Sequence, residues 1–93
     1  VVGVVKVSGD AEAVACMNDS AFGLTAAIYT QDEAAAAALG AEIDAGTIFM
    51  NRCDYLDPAL PWSGRKECGR GVSLSALAYQ SLTRPKAYHF RKG

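Results

Sequence analysis

The chain is poor in the residues that most often announce a specialised chemistry. It has one histidine and three cysteines, and no two of these four residues lie close enough to form a zinc-binding spacing; Cys53, Cys68 and His89 include neither a Cys-x-x-Cys pair nor a close Cys/His pair. Cys16, Cys53 and Cys68 are odd in number and widely spaced, which reads as free thiols in a reducing compartment rather than a disulfide framework. Charged residues are 20% of the chain and the formal net charge is −1, so there is no basic excess to hold nucleic acid or an anionic membrane. No apolar run approaches a bilayer span; even the alanine block Ala34–Ala38 is far too short. The opening Val1-Val2-Gly3-Val4-Val5 lacks a preceding basic region and a small-residue cleavage site, so it does not show the pattern expected of a signal peptide. Beginning on valine inside a strand-like run, it predicts further residues upstream. These absences together place the expected location in the cytoplasm.

What is present is a globular pattern. Hydrophobic residues make up 51% of the 93 positions, well above a disordered composition and enough for one small domain. Val1–Val7 is nearly continuous in β-branched residues, broken only by Gly3 and Lys6, as expected of a strand covered on both faces. Ser8-Gly9-Asp10 offers a helix start, with the serine hydroxyl placed to accept from free backbone N–H groups. Ala13, Val14 and Met17 then share a face, and Asn18-Asp19 ends the helix.

Ala26–Tyr29 reads as a second strand. Thr30-Gln31-Asp32-Glu33 has the form of a capping box, followed by an alanine-rich helix that Gly46 should terminate. Thr47–Asn51 is the third strand. The resulting order predicts an α/β unit, a βαβαβ three-stranded parallel sheet flanked by helices with right-handed crossovers. Residues 52–71 carry two prolines, three glycines and seven charged side chains without periodicity, a long loop of the kind that usually serves a function. Ser73–Leu82 predicts a short helix with Leu74, Leu77 and Leu82 inward, broken by Thr83-Arg84-Pro85. Lys86–Arg91 is strand-like, with Tyr88 and Phe90 on one face; it is either a disordered tail or a strand that pairs with another chain or domain.

Polar side chains and loops gather at the carboxyl ends of parallel strands, so Asn51 and the turn Pro61–Gly69 are expected at the rim of a ligand site. Trp62, flanked by Pro61 and small residues, is a pocket wall or a piece of core. Cys68 between Lys66 and Arg70, and Cys53 between Arg52 and Asp54, are either thiols made reactive by neighbouring charge or small packed residues. His89 has no motif around it and reads as a strand residue. Gly64–Arg70 lacks the Gly-Lys-Ser/Thr ending of a phosphate loop and reads as a glycine-rich turn.

Three blocks carry a family resemblance. Asn18–Ala27 resembles the aldehyde dehydrogenase pattern Asn-x-x-x-aromatic-Gly-Leu-x-Ala; Gly46–Asn51 matches its Gly-Thr-hydrophobic-x-hydrophobic-Asn strand; Pro61–Gly69 is similar to its Pro-Phe-Gly-Gly-x-Lys-x-Ser-Gly turn. They stand in the family's order and spacing, and the likeness extends over essentially all 93 residues. It implies that residues 1–83 are a C-terminal part of an aldehyde dehydrogenase catalytic domain and 84–93 an oligomerisation strand. It implies oxidation of an aldehyde to a carboxylic acid with NAD or NADP, by a nucleophilic thiolate whose thioester is later hydrolysed.

The family's nucleophile lies in a Gly-Gln-x-Cys motif upstream of the matched portion, so none of the three cysteines inherits that role and no catalytic residue is assigned. The dinucleotide is expected on other parts of the parent enzyme, and the isolated chain is expected to be inert. By the same resemblance Trp62, Asp54 and Leu56 line the substrate tunnel, with Trp62 in place of the usual phenylalanine, Ser63 in place of a glycine and Cys68 in place of a serine. Val72-Ser73 replaces a frequent Arg-Glu pair. The implied partners are a small aldehyde and further copies of the parent chain, with no nucleic acid and no membrane. The alternatives are a free-standing α/β module that self-associates through Lys86–Phe90, and a redox sensor built on Cys53 or Cys68.

Overall fold

The computed structural model describes residues 1–93. Its elements are helix α1 (Asp10–Asn18), strands β1 (Phe22–Gly23) and β2 (Thr25–Ile28), helix α2 (Glu33–Glu42), strands β3 (Thr47–Met50) and β4 (Arg65–Lys66), and helix α3 (Leu77–Leu82). No helix is long and apolar enough to cross a membrane.

The α/β class rests on β2–α2–β3. β2 and β3 pair in parallel, Thr25 opposite Thr47 through Ile28 opposite Met50, and α2 forms the crossover. Alanine gives α2 its propensity, and Gly40 lets it lie close to β3: a β-carbon there would stand 3.1 Å from the Ile48 side chain. The helix begins two residues later than the Thr30–Glu33 box predicts. Asp32 is the cap, accepting from the Ala35 N–H at 3.0 Å, while the Thr30 hydroxyl accepts from the Asp32 N–H at 3.1 Å. At α1 the serine donates where the sequence predicts that it accepts. Gly9 occupies the cap position, and the Ser8 hydroxyl and N–H both bond to the Glu12 carboxylate, at 2.6 and 2.9 Å.

The sheet departs from three parallel strands at Val1–Val7. This segment has no strand partner, and Val1, Val2, Val4 and Val5 stand exposed. A strand meant to be covered on both faces needs neighbours, and the chain supplies none beyond the β2–β3 pair. Lys86–Arg91 likewise forms no ladder, although Tyr88 and Phe90 do share a face, with ring centroids 5.7 Å apart. An antiparallel pair absent from the sequence reading, Phe22–Lys66 and Gly23–Arg65, ties the Pro61–Gly69 turn back to β1.

Further differences have local causes. Helix α3 starts at Leu77 and not Ser73, because Leu74 and Ser75 adopt left-handed backbone, φ 61° and 57°. Of its three expected core residues only Leu74 turns inward; Leu77 and Leu82 are exposed, as is Met17 on α1. Gly46 does not end α2, which stops at Glu42. Its place is a close approach described below.

The buried apolar residues are Val14, Ala36, Ile43 and Phe49, where α1, α2 and β3 meet. A compact monomer of this length would have a radius of gyration of about 12 Å and expose about 5,200 Å². This chain has 18.5 Å and 7852 Å², drawn out to 73 × 28 × 22 Å. Val1, Val2, Phe22, Tyr79, Leu82 and Phe90 are among the large apolar side chains left exposed.

Candidate functional site

The amino end of β3 and the Pro61–Gly69 turn abut backbone to backbone. Gly46 sits directly against the Ser63 carbonyl group, where any β-carbon would overlap it. Trp62 and Ser73 exchange backbone bonds, Trp62 N–H to Ser73 O at 2.7 Å and Ser73 N–H to Trp62 O at 2.9 Å, and the Ser63 hydroxyl donates to Gly71 O at 2.9 Å. The turn is thereby held as a wall beside the strand.

Asn51 follows β3, and its side chain is bonded to the sheet. Its N–H continues the ladder to Ile28 O at 2.9 Å, and its φ is then 56°, a left-handed conformation that asparagine tolerates. The side-chain amide accepts from the Thr30 N–H at 2.9 Å and donates to Thr30 O at 2.7 Å. It stands in for the next peptide of the ladder while the main chain turns away into the loop. The other motif residues have comparable work. Lys66 Nζ donates to Asn18 O and Ser20 O at 2.7 and 2.8 Å; the Asn18 side chain donates to Glu42 O and accepts from the Asp44 N–H, both at 2.8 Å. The Cys68 sulfur accepts from the Gly23 N–H at 3.2 Å.

Between β3 and this wall lies a cavity of about 150 Å³. Its apolar lining includes Phe49, Leu60, Trp62 and Leu74, and its polar lining Thr47, Arg52, Tyr55 and Asp57. Trp62 is half-buried there. Asp54 and Leu56, on the same loop, are exposed and do not line the cavity; Asp54 has φ 52°, which turns the chain outward. Arg52 and Tyr55 belong to no motif in the sequence. The Arg52 guanidinium carbon lies 3.9 Å from the Tyr55 ring centroid, a cation–π contact. The signal that could have marked them is an arginine and a tyrosine flanking the Cys53-Asp54 step after a strand-ending asparagine. At the loop's outer side, Cys53 and then burial and Asp54 hold the Tyr29 phenol above its ordinary pKa.

The chain's own residues do not fit a dinucleotide. A pyrophosphate is held at a helix N-terminus with free N–H groups, but α1 carries Asp10 and Glu12 in its first turn, and α2 is closed by the Asp32 carboxylate with Glu33 beside it. These acids would repel phosphate. The three cysteines are separate, Cys16 and Cys53 exposed and Cys68 half-buried.

Comparison with known proteins agrees with the fold and the motifs. A profile described as the aldehyde dehydrogenase family matches residues 1–88. An aldehyde dehydrogenase from Paenarthrobacter nicotinovorans is 40% identical over 81 residues, covering 87% of this chain and 18% of the relative. Among solved structures, a succinic semialdehyde dehydrogenase from Streptococcus pyogenes, in complex with NADP+ as the cofactor, superposes with a TM-score of 0.84 at 32% identity, over 92% of this chain and 19% of that one. An aldehyde dehydrogenase from Bacillus cereus in complex with NAD+ gives a TM-score of 0.79 at 27% identity, over 84% and 16%. The chain thus spans about a fifth of the length of the relatives it matches. With the matched residues running from the first valine to Tyr88, it belongs to the aldehyde dehydrogenase family.

Proposed function

We propose that this chain acts as the C-terminal part of an NAD(P)-dependent aldehyde dehydrogenase that oxidises an aldehyde to a carboxylic acid in the cytoplasm. Residues 1–83 are a portion of the catalytic domain and 84–93 a strand that joins subunits into a homo-oligomer. The nucleophile and the dinucleotide site lie on other parts of the parent enzyme. This chain supplies one wall of the substrate tunnel, with Trp62 against the substrate and Asp54 and Leu56 toward its outer end.

The observation that carries this reading is the cavity beside Trp62. About 150 Å³ is below the roughly 300–1,000 Å³ of a complete small-molecule site. It runs along β3 from Thr47 to Arg52, just past the carboxyl end of a parallel strand, where such sites are built, and the exposed apolar side chains beside it ask for further protein. In the full-length enzyme, Trp62→Ala should change the ratio of kcat/KM between short and long aldehydes about tenfold or more, since one or two methylenes in a pocket are worth about 1–3 kcal/mol. Identical ratios in both enzymes would defeat the assignment. The purified 93-residue chain should form no NAD(P)H from aldehyde; turnover by it would sink the division of labour.

A second reading, a self-associating module, is favoured by Lys86–Phe90, whose Tyr88 and Phe90 rings stand exposed on one side of an unpaired segment. Light scattering with and without residues 84–93 separates the two. Self-association that survives the deletion counts against the strand in either reading.

A further inference from the structure

Trp62 belongs to the linings of two hollows at once. One is the cavity beside β3. The other lies within the loop that closes the turn, among Leu24, Ser63, Gly71 and Val72. No other residue is common to both linings. The half-buried Trp62 thus stands at their border, and a side chain beside open space has more than one staggered rotamer within reach.

The second hollow is closed by few bonds. Gly69–Val72 makes no main-chain hydrogen bond, and Gly71 has φ 73° with open space beside it. Two hydroxyls hold this stretch. Ser81 donates to Val72 O at 3.1 Å, and Ser63 donates to Gly71 O at 2.9 Å. The 3.4 Å approach of the Ser63 hydroxyl to Gly64 O is too long to compete for its single proton. Ser63 is a firm stake for the bond to Gly71. Its carbonyl group lies against Gly46, and its neighbour Trp62 is paired twice with Ser73. Those two backbone bonds and the Ser63 hydroxyl together close the neck of the loop.

We infer that Ser63 is a positioning residue for substrate selection. Its bond to Gly71 keeps the loop shut behind Trp62 and so holds the indole on the cavity side, where it excludes long aldehydes. The inference rests on the proposed function and concerns the same tunnel wall. Ser63 acts through Trp62. A hydrogen bond made in one arrangement and lost in the other shifts the ratio of the two by about threefold to tenfold.

The test is steady-state kinetics of the full-length enzyme with butanal and octanal. Ser63→Ala should raise the octanal to butanal ratio of kcat/KM about threefold to tenfold, mostly through a lower KM for octanal. Ser63→Thr, which keeps the hydroxyl, should give the parent ratio. Joined to Trp62→Ala, Ser63→Ala should move the ratio no further, since the side chain that it positions is gone. A ratio unmoved by Ser63→Ala overturns the inference, even where both activities fall together. So does a ratio that Ser63→Ala shifts equally with and without the indole. Turnover of neither aldehyde by the unaltered enzyme, or a ratio unmoved by Trp62→Ala, defeats the proposed function or its tunnel wall, and the inference falls with it.

Discussion

Asn51 is bonded to Thr30 twice through one side chain, accepting from its N–H and donating to its carbonyl. The amide extends the β2–β3 ladder by one rung with no strand backbone present, and so frees residue 52 onward to form the loop. Asn51→Ala removes both bonds and leaves an alanine at φ 56°. In the full-length enzyme, the Thr30 amide should then exchange with solvent about tenfold to a hundredfold faster, the equivalent of about 1–3 kcal/mol of local stability. Asn51→Gly loses the same bonds but tolerates the backbone, and should be milder by about 1 kcal/mol. Equal damage from both would show that backbone strain plays no part.

Gly46→Ala should be among the most damaging single-methyl additions in the chain. The new carbon would occupy the place of the Ser63 carbonyl, and neither strand nor turn can give way cheaply. We expect a loss above about 4 kcal/mol, seen as failure to recover folded full-length enzyme.

Lys66 holds two main-chain carbonyls at the end of α1, and the pair tie that helix to the turn. Lys66→Met should lower stability by about 1–3 kcal/mol, discounted toward the lower figure because the site is exposed. Thermal-inactivation midpoints of the full-length enzyme read this directly. A midpoint equal to that of the parent would remove Lys66 from the account of how the wall is held.

Glu12 accepts from the Ser8 hydroxyl and, next in weight, from the Ser8 N–H, and these bonds hold its carboxyl below the ordinary glutamate pKa. The folded pKa is depressed, so the contribution is fully present above the unfolded value of about 4.3 and is lost as pH falls through the folded one. A carbon NMR titration of the Glu12 carboxyl should give a midpoint below that value, and Ser8→Ala should raise it. A midpoint insensitive to Ser8→Ala would assign the shift elsewhere.

The β2–α2–β3 unit was legible because its signals are local. Thr30 and Asp32 mark a helix start within a residue or two, alanine fills the helix, and two apolar strands flank it. Val1–Val7 was legible only in part. Its valines state that the segment is to be covered, and a single chain cannot say by what. Leu74 and Ser75 gave no warning of left-handed backbone, since neither residue type favours it, and the start of α3 moved accordingly. Gly46 has the sequence position of a helix stop, since glycine often follows a helix; the Ser63 carbonyl against it is 17 positions away and leaves no trace in the local pattern. Trp62 was visible by its size, but Arg52 was not. Its meaning depends on where the Tyr55 ring comes to lie, and that is a fact of three dimensions.

The contact between Gly46 and Ser63 bears on how this wall can diverge. Strand and turn are locked backbone to backbone, so the cavity cannot be widened by sliding one along the other. Its shape and polarity are left to the side chains that project from a fixed frame, above all Trp62 and Arg52. Two descendants of one ancestor could therefore part company in what they accept through a pair of substitutions, with the main chain beneath them superimposable.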